Sequence, residues 1–243
     1  MSAVAVRAPA DEVIETESTV GMGRLHYTFA KGRRVATVVL GHGAGGGIEV
    51  VDLVALSLSL PACGYDVVRV EQPWRLSDRK VAPRPEVLDR AWLGLLAGEE
   101  FTNRRHEQLV LGGRSAGARV AARTASVLKA RAVVALSFPL HPPGKPERSR
   151  REELSESLPT LVVQGDRDPF GRPPEFLPLA KTLEVAVVPG ADHSFAVRRT
   201  APITQVEVGE LISDHVRSWL ARVFAVVSAE SKESGESDPG QGR

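Results

Sequence analysis

The sequence predicts an α/β fold: a doubly wound, mostly parallel sheet, preceded by an antiparallel hairpin and carrying no large lid domain. Three observations lead there. The runs "VATVVLG", "YDVVRVEQ", "EQLVLGG", "RAVVALSF", "PTLVVQG" and "EVAVVPG" are rich in β-branched residues and almost continuously apolar, as strands covered on both faces must be. The gaps between them are long enough for crossover helices, so strand and helix alternate. Ahead of them, "EVIETESTVGMGRLHYTFA" mixes polar and apolar residues around glycines, the pattern of a hairpin.

A chain of 243 residues can bury about 70–75% of its unfolded surface in one domain without a staple. Its 42% hydrophobic and 25% charged residues are ordinary for a globular protein. The net charge of +1 gives no global attraction for nucleic acid or anionic membrane, which points to a small molecule or another protein as the partner. Cys63 is the only cysteine, so neither a disulfide framework nor a CxxC metal site is expected, and a reducing, cytoplasmic setting fits. The N-terminal stretch turns acidic before any signal-like apolar run, and no later run approaches the ~20 residues of a membrane span.

Taken in order, residues 1–12 read as a flexible leader, 13–226 as the folded domain and 227–243 as a disordered tail with almost nothing apolar to bury. Helices are expected at about 49–62, 85–97, 116–129, 174–181 and 207–226, with Pro61, Gly98 and Pro202 near their boundaries. The basic, Pro-rich "HPPGKPERSRREELSESL" is short for a lid; it reads either as a solvated loop leading into a charged helix or as a pocket rim for an anionic group.

The first chemical signal is "GHGAGGG", Gly41 to Gly47, between a strand and a helix. Gly41, Gly43 and Gly46 fit G-x-G-x-x-G, and Glu71 ends the next strand about where a ribose-binding acid would sit. That dinucleotide reading needs the loop to follow the first strand of a βαβ unit, whereas a hairpin comes earlier here. The competing reading makes the loop one wall of an oxyanion site.

The next signal favours the second reading. "LVLGGRSAGARVAARTASVL" holds Gly113-Arg114-Ser115-Ala116-Gly117, a G-x-S-x-G between an apolar strand and an Ala-rich helix. A sharp turn there exposes the serine, and glycines at ±2 keep neighbouring backbone away from it. A serine needs a base, and the base an orienting acid, following in the order Ser, acid, His. "PTLVVQGDRDPFG" offers Asp168, preferred for its G-x-x-D-P setting, with Asp166 as the turn-capping alternative; "EVAVVPGADHSF" offers His193, with Asp192 supporting its loop. The N–H groups of Ala116 and Ala44, with Gly45 as the near alternative to Ala44, would then receive the oxyanion.

Of the other histidines, His26, His106 and His215 sit where structural or exposed roles are expected, while His141 at a strand end is a candidate substrate contact. Arg114, Arg75 and Arg79, with Arg148, Arg150 and Arg151, could form a guanidinium cluster for a carboxylate or phosphate; alternatively they face solvent or pair with Glu147, Glu152 and Glu153. Cys63 reads as packing.

Together "GHGAGGG", "EQPWR", "GGRSAGARVAARTA", "SFPLHPPGKPERSR", "VVQGDRDPFG" and "GADHSF" resemble the α/β-hydrolase superfamily over residues 35–222, and most nearly its dienelactone-hydrolase-like group related to testis-expressed protein 30 and subunit 3 of the NSL chromatin complex. The resemblance implies Ser115 as nucleophile, His193 as general base and then acid, Asp168 as its orienter, and no cofactor or metal. Dienelactone hydrolases carry Cys at the nucleophile position, so their lactone substrate does not transfer to a chain with Ser115. The expected activity is serine hydrolysis of an ester, thioester or related acyl bond. The alternative is a non-catalytic interaction protein that keeps the fold.

Overall fold

The computed structural model describes residues 10–77, 79, 81–154 and 157–233, with side chains to residue 225. The expected leader therefore lies almost wholly outside the described residues, as do positions 234–243 of the expected tail. One sheet of eight strands runs through the domain. Its members are β1 (Glu12–Ser18), β2 (Gly21–Thr28), β3 (Ala36–Gly41), β4 (Tyr65–Glu71), β5 (Leu109–Arg114), β6 (Ala132–Leu136), β7 (Thr160–Gly165) and β8 (Leu183–Val188), in the spatial order β1-β2-β4-β3-β5-β6-β7-β8. β1, β2 and β4 pair antiparallel and every other pair is parallel, so the hairpin caps one edge of a parallel sheet.

The helices are α1 (Val51–Ser59), α2 (Pro73–Leu76), α3 (Pro85–Ala97), α4 (Glu99–Thr102), α5 (Ala116–Thr124) and α6 (Gln205–Glu233). Strand residues alternate between two buried layers: Val39, Val68 and Leu111 meet α3 and α5 on one face through Trp92, Leu95 and Val120, while Val38, Leu40, Val67 and Val110 meet α1 and α6 on the other through Leu53, Ile212 and Trp219. Both faces are covered, which is why the central strands read as unbroken apolar runs rather than alternating ones.

Two helix expectations fail in an instructive way. Residues 174–181 form no crossover helix; only a 3-10 turn, Pro173–Phe176, is present. Pro173, Pro174 and Pro178 remove N–H donors there, and Leu177 ahead of Pro178 is extended at ψ 149°. The last helix instead runs past residue 226 to Glu233. Ala, Glu and Lys in "SAESKE" extend an existing helix at little cost. The Pro-rich segment between β6 and β7 makes two 3-10 turns, Pro146–Arg148 and Arg151–Glu153, with no charged α-helix among its described residues.

Candidate active site

β5 delivers Ser115 at the sheet's C-terminal edge with φ 53° and ψ −112°, a conformation that costs an L-residue energy and persists only where its surroundings impose it. They do so here. Ser115 N–H donates to Leu136 O at 2.9 Å, and Gly113 and Gly117 are pressed against β3: a Cβ on Gly117 would lie 2.3 Å from Gly41 O. A Cβ on Gly43 would come 3.3 Å from Ser115 Cβ. The glycines of the loop after β3 thus make room for the serine turn, which removes the dinucleotide reading; Glu71 faces His26 at 3.4 Å instead of an open ribose site.

Two loops meet this turn. After β7, Asp168 is wholly buried; its Oδ1 accepts Phe170 N–H at 2.8 Å and its Oδ2 accepts His193 Nδ1–H at 2.8 Å. After β8, Asp192 Oδ1 accepts the N–H groups of Ser194 and Ala196, bending the chain that presents His193. With Nδ1–H committed to Asp168, His193 Nε2 is the acceptor for Ser115 Oγ–H at 2.9 Å. The Phe170 ring lies against the imidazole with centroids 4.2 Å apart. Asp166 takes no part: it faces solvent and its Oδ1 accepts Gly190 N–H at 2.8 Å.

Ser115 and His193 open onto a pocket of about 480 Å³ whose opposite wall is Gly43, Ala44, Gly45 and Gly46. Ala116 is the first residue of α5, where the first N–H groups have no partner within the helix. Ala44 thus lines the same pocket as Ser115, while Ala116 follows Ser115 directly in the chain. Among the described residues no cluster of three or more His, Cys, Asp or Glu is arranged to hold a metal ion, and no described helix is long and apolar enough to cross a membrane.

Four buried polar residues that the sequence reading passed over hold this site. His42 donates from Nδ1 to Gly43 O at 2.9 Å and accepts Gln72 N–H at Nε2 at 3.2 Å, pinning the glycine loop to the end of β4; burial pushes its pKa down, keeping the ring neutral. Arg69 donates to Ile48 O and Glu49 Oε1, both at 3.1 Å, and secures the loop's other end. Gln164 Nε2–H donates to Asp168 Oδ2 at 2.8 Å and to Gly171 O at 2.7 Å. Asp52 is wholly buried with a carboxyl oxygen 3.8 Å from Arg114 Nε; burial raises its pKa and Arg114 opposes that rise. The usable signal for two of them was a polar residue inside an apolar strand, Arg69 in "YDVVRVE" and Gln164 in "TLVVQG".

The expected substrate contacts separate. Arg114 is largely buried, yet it lines the pocket beside Ser115 and His193, and its Nη2 donates to His193 O at 3.0 Å, so it braces the histidine loop from the pocket wall. His141 is withdrawn: Nδ1 meets Pro142 O at 2.9 Å and Nε2 meets Glu175 at 2.8 Å. Burial disfavours its charge, but these two acceptors prevail and its pKa is raised. Arg150 donates to Pro139 O, and Arg151 to the carbonyls of Phe176 and Pro178; Glu153 is instead held by Arg119 and Arg123. Arg75 stands exposed with its Nε 3.9 Å from where a Cβ on Gly47 would lie, outside the ring of residues around Ser115. Of the arginines that could have clustered, Arg150 and Arg151 are thus taken by local carbonyl acceptors, and Arg114 is the one that lines the pocket.

A family profile described as "Alpha/beta hydrolase domain" matches residues 34–221. No curated protein matches the sequence. Among solved structures, an alpha-beta serine hydrolase homologue from Coxiella burnetii aligns at 20% identity and TM-score 0.67, covering 86% of this chain and 99% of its own. An a/b serine hydrolase without lid from Xanthomonas campestris aligns at 17% and 0.63, covering 88% and 97%. A thermophilic esterase from Thermogutta terrifontis aligns at 16% and 0.61, covering 88% and 99%. At these identities the likeness is one of fold.

Proposed function

The chain belongs to the α/β-hydrolase domain family, and from that premise we propose that it is a serine hydrolase acting on an ester, thioester or related acyl bond of a small molecule. The observation that carries this is the unbroken hydrogen-bond chain from Ser115 Oγ through the His193 ring to Asp168, at 2.9 and 2.8 Å, opening on a pocket. In the first step Ser115 Oγ attacks the carbonyl carbon while His193 Nε2 takes its proton, and Asp168 stabilises the resulting imidazolium. In this reading the tetrahedral oxyanion is received by the N–H groups of Ala44 and Ala116, with the Ala44 loop lining the pocket supporting the assignment. Collapse breaks the bond to the leaving alkoxide or thiolate, which leaves with the proton held by His193. Water, deprotonated by His193, then attacks the acyl-enzyme carbonyl; collapse of the second tetrahedral intermediate, with His193 returning the proton to Ser115, frees the acid and restores the enzyme.

Within the family we place the chain nearest the dienelactone-hydrolase-like group, on "GGRSAGARVAARTA" and "FPLHPPGKPERSR", and in the cytoplasm, on its single cysteine. A fluorophosphonate probe tests the function directly. Labelling of the native chain that disappears in Ser115→Ala is expected; absence of labelling on folded protein would favour a non-catalytic interaction protein.

A further inference from the structure

The pocket at Ser115 has a neighbour on the helix layer. Val51 and Gln205 line the pocket and also line a groove of about 760 Å³ between α1 and α6. On α1 this groove is walled by Val51, Val54, Ala55 and Leu58, positions i, i+3, i+4 and i+7, so a single apolar helix face forms one side. On α6 it is walled by Val206 and Gly209. A Cβ on Gly209 would lie 3.4 Å from Ala55 Cβ and 3.7 Å from Val51 Cγ2, so any larger side chain would occupy the space between the helices. Leu58 is 55% exposed and Val206 74%, so among the described residues the groove leaves large apolar side chains facing water.

Charge narrows the occupant. Glu210 and Asp214 edge the groove, and its one lining cation, Arg217, is bonded to Asp214 at 2.7 Å. An anionic terminus would meet carboxylates there. The distance along α1 from Val51 to Leu58 is about 10 Å at the usual helical rise, far more than an acetyl group needs.

Building on the serine-hydrolase reading, we propose that this groove holds the acyl chain of the substrate: an unbranched, uncharged alkanoyl group of medium length whose carbonyl sits at Ser115. The acyl side is assigned because the acyl group stays attached through both half-reactions, whereas the leaving group must depart after the first.

The test uses p-nitrophenyl alkanoates from acetate to dodecanoate. kcat/KM rises two- to fourfold per added methylene up to about octanoate, as burial of each CH2 permits; a flat or falling series overturns the proposal. Gly209→Leu fills the groove, and Leu58→Glu charges an exposed position where folding is not at stake; each lowers the octanoate-to-acetate ratio of kcat/KM at least tenfold, and an unchanged ratio in folded protein overturns it. A chain-length preference confined to alkyl acetates, with the alkyl group on the alcohol, overturns the acyl assignment. A dimer dissolved by Leu58→Glu would give the groove to a second copy of the chain and likewise overturn it. Should no ester be hydrolysed, the hydrolase reading fails separately. Methyl octanoate binding to Ser115→Ala, followed by ligand-observed NMR and abolished by adding Leu58→Glu, would still support the groove, and no binding would refute it.

Discussion

Arg114, the residue before the serine, donates a 3.0 Å hydrogen bond to the main-chain carbonyl of His193, the residue that must face that serine. The turn after β5 therefore holds the loop after β8 through a side chain, and Asp52 lies behind the guanidinium at 3.8 Å. Such a pair is weak as a source of net stability, yet costly to break, because the remaining charge is buried alone.

Arg114→Gln should lower kcat about 10- to 100-fold by loosening His193, since misplacement of about 1 Å can cost that much. Steady-state kinetics on paired acidic and neutral esters check it: equal losses are expected for both. A selective loss on acidic esters would restore an anion-binding role.

Asp168→Asn should lower kcat about 10⁴-fold by favouring the wrong imidazole tautomer, while Asp166→Asn should leave it within about twofold, because Asp166 only receives Gly190 N–H. Gln164→Leu removes a donor from Asp168 Oδ2 and should cost about tenfold in kcat with KM unmoved. Gln164→Glu should cost more, since it sets a second carboxylate against the first. A change confined to KM would contradict this positioning role.

The glycine motifs should tolerate substitution very unequally. Gly45 has no heavy atom within 4 Å of a built Cβ, so Gly45→Ala should fold and retain its fluorophosphonate labelling. Gly117→Ala drives a methyl to 2.3 Å from Gly41 O and should lose both soluble expression and labelling. Comparable melting temperatures for the two variants would refute the close approach of β3 to α5.

Glu153 joins Arg119 and Arg123, and Arg123 also holds Asp89, so one network ties the helix behind the serine to α3. Burial works to raise the Glu153 pKa, but the two guanidiniums outweigh it and the net shift is downward. A depressed carboxyl adds stability above its unfolded value and loses it as pH falls through the folded one. Glu153→Gln should therefore destabilise by about 1–3 kcal/mol at pH 7, with the difference from the native chain shrinking below the ordinary carboxylate range. Urea denaturation at pH 7 and pH 3.5 measures it; a pH-independent difference would contradict the ion-pair account.

Much of this protein is written locally. The apolar runs at residues 36–41, 109–114 and 160–165 name strands because both faces of the sheet are covered, and glycines spaced two residues either side of Ser115 announce a tight turn. The same local reasoning misplaced a helix at 174–181, where Pro174 and Pro178, with Pro173 just ahead, outweigh periodicity, and stopped α6 too early, where helix propagation needs no apolar face. It also sent His141 toward a ligand, because nothing adjacent in sequence reveals the Glu175 carboxylate brought in from another loop.

By itself the sequence determined which chemical groups the chain carries and which short segments become strands, turns and helices, since those depend on neighbours a few residues apart. The tertiary structure alone decided that Ser115 and His193, separated by 78 positions, lie 2.9 Å apart, that Arg114 reaches His193 O, and that α1 and α6 leave an apolar groove sharing Val51 and Gln205 with the pocket. Those outcomes rest on strand order, register and helix packing, which sum many distant contacts that no short window of residues contains.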